Sequence, residues 1–185
     1  MKNKFFLIAL ILLTVSSCAN KSEILVESYI FHCNQYDMEK ATSLLLPGYQ
    51  EIYSENYIEI EGPEGVELKY ERLKILEHKT ILKSIRAQGD TVFTEEQYSN
   101  IMDDVLEKHP RVFSVKYVIE EGKIARGYFE NQINGDSIFL AEVPKYDAFY
   151  AFCREQGIKD TVYSKDLNEL KGYKNALIRY RDREK

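Results

Sequence analysis

Apolar residues recur along this chain in two rhythms, one of three to four residues and one of two, and the switches between them outline its elements. Leu25, Val26, Tyr29, Ile30 and Cys33 form one helical stripe that Ser22 is placed to cap, which predicts a helix over 22–34. Asn34-Gln35-Tyr36 breaks it. Asp37 caps a second short helix with Met38, Ala41, Leu44 and Leu45 inward, and Pro47-Gly48 ends it. Residues 57–61 alternate and read as a strand with Ile58 and Ile60 on one face, followed by a turn at Gly62-Pro63-Glu64-Gly65. From Val66 to Glu77 both rhythms fit, and the Glu, Lys, Leu and Arg content favours helix.

Two hairpins follow. Residues 79–87 and 91–97 flank Gln88-Gly89-Asp90, and residues 112–120 and 123–130 flank Glu121-Gly122. Ile101, Met102, Val105 and Leu106 make a brief helical face between them, stopped before Pro110. Phe113, Val115, Tyr117 and Ile119 share one strand face, while Val112, Ser114, Lys116 and Val118 share a half-polar one. That contrast predicts a sheet covered by helices on one side only. Residues 138–143 read as a short added strand. Helices over 146–156 and from Leu167 onward finish the chain, the last capped by Asp166 with Glu169 three residues on, and carrying Leu167, Leu170, Leu177 and Ile178.

The N-terminus has a different character. Lys2 and Lys4 precede an apolar run from Phe5 to Val15, and Val15-Ser16-Ser17-Cys18 closes it. Charged, apolar and small-residue sections in this order make a secretory signal. The run is about half the roughly 20 residues needed to cross a bilayer, so it does not read as a membrane span. Its ending resembles the bacterial lipobox, in which the cysteine is acylated and becomes the mature N-terminus. That resemblance implies a lipoprotein anchored through Cys18 in the bacterial cell envelope, placed in the outer membrane facing the periplasm. The expected organisation is a signal peptide over 1–17, a short tether over 18–21, a domain over 22–145, and a C-terminal helical extension over 146–185 packed on that domain.

Removal of residues 1–17 leaves 168 residues with 23 Lys and Arg against 30 Asp and Glu, a formal charge of −7. An acidic domain without a basic stripe is a poor nucleic-acid binder. It is also a poor peripheral binder of anionic lipid, which suits anchorage by acyl chains. Fourteen Tyr and no Trp suit a pocket or interface where rings are buried and hydroxyls stay paired, though Tyr also fills strand positions. Cys33 and Cys153 lie on apolar helical faces. An oxidising compartment allows a disulfide between them, and buried free thiols are the alternative.

Two helices, a strand and a helix, then antiparallel hairpins make an α+β order. Within it, Asn34-Gln35-Tyr36-Asp37-Met38-Glu39-Lys40-Ala41, followed by Leu45-Leu46-Pro47-Gly48-Tyr49, resembles the opening of NTF2-like (SnoaL-like) domains. Gly89-Asp90-Thr91-Val92-Phe93-Thr94-Glu95 looks like that family's central hairpin, and Glu121-Gly122-Lys123-Ile124 like its recurrent turn before a late strand. The C-terminal helices resemble an extension of some secreted bacterial members. The resemblance implies a curved antiparallel sheet wrapped around the N-terminal helices into a cone with a cavity at its open end. It does not imply one function, since the fold hosts isomerases, cyclases, epoxide hydrolases and non-catalytic binding modules.

Epoxide hydrolases of this type place an Arg and an Asp two residues apart just after the hairpin motif. Glu96 and Tyr98 occupy those positions, so that activity is not expected. A ketosteroid isomerase type needs a buried acid and phenolic donors, and Glu95, Glu130, Tyr57 and Tyr117 are residues of those kinds. His32, His78 and His109 are dispersed and lack a second ligand at i+3 or i+4, and no paired-cysteine spacing occurs, so no metal is expected. His32 reads as solvated. His78 falls at a helix–strand junction, where a helix C-terminus favours its charged form, and reads as structural. No nucleophile elbow, phosphate loop or dinucleotide fingerprint occurs, no catalytic residue is assigned and no cofactor is expected. Arg179, Arg181 and Arg183 suit a solvated helix end.

Three readings stay open: a non-catalytic domain binding a small apolar or amphipathic ligand, an envelope protein–protein interaction module, and a small-molecule isomerase or hydrolase using a buried carboxylate. Tyr57, Glu95 and Tyr117 are the ligand-binding candidates, because each lies on a strand expected to face the helices. The expected partners are the membrane through Cys18, a small molecule in the cone, and a second copy through the sheet face.

Overall fold

A computed structural model describes residues 21–53, 57–133, 135–158, 164 and 166–183. The signal segment, the lipobox and Cys18 lie outside the described residues. Among the described residues, helix α1 covers 21–35 and buries Val26, Tyr29, Ile30 and Cys33, the stripe read from the sequence. Tyr36 ends it in a left-handed conformation (φ 55°), and Asp37 caps α2 (Met38–Ser43) by accepting from the Lys40 amide.

Strand β1 (Leu45–Tyr53) comes next, where the sequence offered only a helix stop. Pro47-Gly48 lies inside it; Tyr49 and Glu51, both buried, face the core. β2 (Tyr57–Glu61) pairs antiparallel with β1 at the sheet edge. The expected turn at Gly62-Pro63-Glu64-Gly65 is the first turn of α3 (Gly62–Ile75). Proline is tolerated there because the first helical amides have no intrahelical partner.

The hairpins form as expected. β3 (Lys79–Gln88) pairs with β4 (Thr91–Ser99), and, after the single-turn α4 (Ile101–Val105), β5 (Arg111–Glu120) pairs with β6 (Lys123–Gln132). Glu121 and Gly122 both have positive φ, 53° and 73°, as a two-residue turn matching strand twist requires. The six strands lie in the order β2-β1-β6-β5-β4-β3. The sheet is mixed and not purely antiparallel, because β1 joins β6 in parallel while the other neighbours are antiparallel. Bulges interrupt the register at Leu82/Ser84 and Phe113/Val115, and such insertions bend the strands that carry them.

Helix α1 lies along the β3 edge. The Asn34 side-chain amide donates to the Thr80 carbonyl at 2.7 Å and its oxygen accepts from the Thr80 amide at 2.8 Å; Glu23 accepts from the Ala87 amide at 2.8 Å. Backbone groups that a bare edge would leave open are thereby engaged.

The chain continues into α5 (Gly135–Glu155), so residues 138–143 are helical and the expected strand there is absent. A short apolar run does not by itself distinguish strand from helix. The buried set Glu142, Phe149, Phe152 and Cys153 follows the helical period, and the helical extension begins at Gly135, ahead of 146. Glu142 accepts from the His109 ring at 2.5 Å and from its amide at 3.1 Å, which pins α5 to the segment after α4. Helix α6 (Leu167–Asp182) is capped by Asp166 and buries Leu170, Tyr173, Ala176, Leu177 and Tyr180.

Two apolar cores result. One holds Val26, Ile30, Val115 and Tyr117 together between α1, α3 and the sheet, as expected. The other joins α4, α5 and α6 around Phe149 and Tyr173. Cys33 sits in the first and Cys153 in the second, both buried, and no disulfide joins them. Among the described residues, no helix is long and apolar enough to cross a membrane.

Candidate functional site

Alternation along the strands decides what enters the cone. Tyr117 opposes Val92 on β4 and Gly127 on β6, and Gly127 in turn opposes Glu51 on β1. These side chains face α1 and α3, and so do Thr94, Glu96 and Tyr98, which share the parity of the fully buried Val92. Gly127 is required by close approach. A Cβ there would lie 3.0 Å from the Tyr49 hydroxyl and 3.2 Å from the Phe129 ring.

Between this inner face and helices α1 and α3 lies a cavity of about 410 Å³. Aromatic rings dominate its walls, among them Tyr29, Tyr53, Tyr70, Tyr98, Phe113 and Phe129. Glu96 stands in it, 2 % exposed. One carboxylate oxygen accepts from the Thr94 hydroxyl at 2.7 Å and the Tyr117 hydroxyl at 2.9 Å, and the other accepts from the Tyr98 hydroxyl at 2.8 Å. Burial raises the pKa of Glu96; the three hydroxyl donors and the Lys69 charge offset part of that rise. Burial, and then the Glu96 charge, push the Tyr98 and Tyr117 phenols well above their ordinary value.

Lys69 of α3 enters from the opposite wall. Its ammonium pairs with the buried Glu51 at 2.5 Å and lies 5.2 Å from the centre of the Phe129 ring. Burial opposes the charge on Lys69, but Glu51 and then Tyr53 outweigh it, so the pKa is raised and the lysine stays protonated. The third group is His78, 7 % exposed at the α3–β3 junction. Its Nε2 lies 3.2 Å from the Thr80 hydroxyl and its ring meets Tyr98 edge-on. Burial first, then the Lys69 and Arg111 charges, lower its pKa to about 4. The charged form expected from the helix terminus is therefore overridden by desolvation. Arg111 also lines the cavity, held by Asp103 at 2.8 Å; Asp103 in turn closes the capping box of α4 with Asn100.

Of the three residues proposed from sequence, the fold brings only Tyr117 into this cavity. Tyr57 is 66 % exposed on the edge strand β2. Glu95 is exposed on the outer sheet face, in an open groove with Arg86, Phe93, Lys116 and Glu130, because it has the opposite parity to Glu96. Glu96 and Tyr98, noted only for departing from the epoxide hydrolase pair, are the residues that point inward. They share the parity of the buried Val92, but the apolar Phe93 shares the parity of Glu95, so the sequence held no decisive signal for them. Glu51 and Lys69 carried none either. Among the described residues, no group of three or more His, Cys, Asp or Glu could hold a metal ion.

Solved structures with this arrangement place the fold. An LEH-like epoxide hydrolase from M. tuberculosis superposes with a TM-score of 0.53 at 14% identity, over 72% of this chain and 97% of its own. A ketosteroid isomerase candidate from Kribbella flavida gives 0.52 at 12% identity, over 60% of this chain and 78% of its own. A SnoaL-like polyketide cyclase candidate from Jannaschia gives 0.50 at 13% identity, over 60% and 85%. The fold is NTF2-like. At these identities the likeness concerns the backbone alone, and the NTF2-like cone says nothing by itself about reaction or ligand. No protein-family model matches the chain, and no curated protein matches its sequence.

Proposed function

We propose that the chain is a membrane-anchored lipoprotein whose NTF2-like cone binds a small apolar or amphipathic ligand without transforming it. One observation carries the binding half of this reading. Three charged groups that project into the aromatic cavity are already engaged, Glu96 by three hydroxyls, Lys69 by Glu51 and Arg111 by Asp103, while Glu59 lines it as an exposed residue. A catalytic base needs a lone pair aimed at its substrate, and a carboxylate with about four acceptor positions has little left after three donors. Rings and phenolic edges remain for contact, as in small-molecule sites of this size. The test is binding of the neutral probe N-phenylnaphthylamine to the chain and to Leu73→Trp, which places a large ring at a cavity-lining position. The probe should bind the parent saturably and the folded variant weakly. Equal binding to both would move the site elsewhere.

The anchorage half rests on Val15-Ser16-Ser17-Cys18 after the apolar run. Cys18→Ala should shift the mature chain from the membrane fraction to the soluble one, and unchanged detergent dependence would count against it.

A second reading has its own support. The raised pKa of Glu96 beside two phenols is what an isomerase acting on an enolisable substrate would use. Deuterium uptake from D₂O into a cyclic ketone, present with the parent and absent with Glu96→Gln, would establish it.

A further inference from the structure

The lipoprotein reading also constrains how the domain sits. Only Ala19 and Asn20 separate Cys18 from Lys21, the first described residue of α1. Fully extended, that link reaches about 10 Å. The first turn of α1 therefore stays within a headgroup's thickness of the acyl chains.

The outward stripe of α1 is not what a solvated helix face would carry. Beside the exposed Lys21, Glu27 and Gln35 stand Ile24, 53 % exposed, and Phe31, 58 % exposed. Seven residues apart, they lie two turns from one another on one side of the helix. Glu23 and Asn34 fix α1 along the β3 edge, so this stripe is turned away from the core.

We infer that the outward face of α1 rests on the bilayer that holds Cys18. Ile24 and Phe31 seat at the boundary between headgroups and acyl chains, and Lys21 meets anionic headgroups, as on interfacial amphipathic helices. Glu27 stays hydrated at headgroup level. The acyl chains supply the attachment, so the patch needs only to orient the domain. The inference rests on the lipoprotein reading, and its test keeps the two apart.

The full chain, lipidated in a bacterial host, is reconstituted into phosphatidylethanolamine–phosphatidylglycerol vesicles. An environment-sensitive NBD label is attached at Ile24→Cys, Phe31→Cys or Leu68→Cys. Leu68 is the control, 64 % exposed on α3, whose main packing against the sheet is on β1. Cys33 and Cys153 are buried and do not compete for label. Labels at 24 and 31 should be quenched by brominated lipid at least about twofold more than the label at 68, as side chains at interfacial depth are. Flotation with the vesicles but equal quenching at the three positions would overturn the docking and leave the anchor standing. Failure of the parent chain to float would overturn the anchor and the docking with it.

Discussion

His78 should give the fold a measurable sensitivity to acid. Its ordinary pKa of 6.5 falls to about 4 in the folded chain, chiefly because burial disfavours the imidazolium and secondarily because Lys69 and Arg111 repel it. Between those two values the unfolded chain binds a proton that the folded chain refuses. Stability is therefore fully present above pH 6.5 and is lost as pH drops toward 4. A shift of this size, at about 1.4 kcal/mol per unit, corresponds to roughly 3 kcal/mol, a large fraction of the 5–15 kcal/mol that holds an ordinary domain together. Glu96 works in the opposite sense. Its folded pKa is raised, so its contribution is present at low pH and is lost as pH rises through that value. The experiment must therefore isolate the histidine. Urea unfolding of the parent and of His78→Gln, followed by circular dichroism at steps from neutrality to the carboxylate range, should give curves that diverge. The parent should lose stability with falling pH faster than the variant, by up to about 1.4 kcal/mol per pH unit. Parallel curves would refute the argument, since they would mean that His78 takes up its proton as readily folded as unfolded.

Three further outcomes are expected. Tyr117→Phe removes one of the three donors to Glu96, so the carboxyl pKa should rise further in a carbon-13 titration; no movement would mean that the bond is not made in solution. Lys69→Met leaves Glu51 buried without its cation and should cost about 3 kcal/mol, most of it recovered when Glu51→Met is added; a single-variant loss below about 1 kcal/mol would mean that the pair is effectively solvated. Gly127→Ala should destabilise by about 1–3 kcal/mol in thermal unfolding, and Tyr49→Phe should relieve part of the loss because the crowding atom is the Tyr49 hydroxyl; an unchanged melting temperature would show that the ring moves aside freely.

Much of the fold was legible in the residues, and the parts that were not share a physical cause. The hairpins announced themselves through the turn residues Gly89-Asp90 and Glu121-Gly122 set between strand-like runs, and α1 through a stripe that is buried nearly residue for residue. β1 was hidden because its inward positions are Tyr49, Glu51 and Tyr53, and because Pro47-Gly48 reads as a stop. A buried glutamate looks like surface until the lysine that pairs with it is brought alongside, and Lys69 comes from another element. The first half of α5 was hidden for a related reason. Glu142 is an inward position occupied by a charge, so the helical rhythm is broken in the sequence although not in space. In the cavity the miss was one residue. Glu95 and Glu96 are equivalent in composition, and a strand's period of two sends them to opposite faces.

The two buried thiols impose a demand on how this molecule comes to be made. Cys33 and Cys153 are sealed in different cores, and burial pushes the Cys33 thiol up to about 12, so in the finished fold almost no reactive thiolate exists there at neutral pH. On the proposed lipoprotein reading, the unfolded chain crosses into an oxidising compartment without such protection. A bond between the two sulfurs at that stage would tie together segments that belong to separate cores, and neither could then close. On that reading, folding of this chain is a race against its own oxidation: the catalysts that form disulfides for its neighbours are hazards to it, and a reducing pulse during export should raise the yield of native protein.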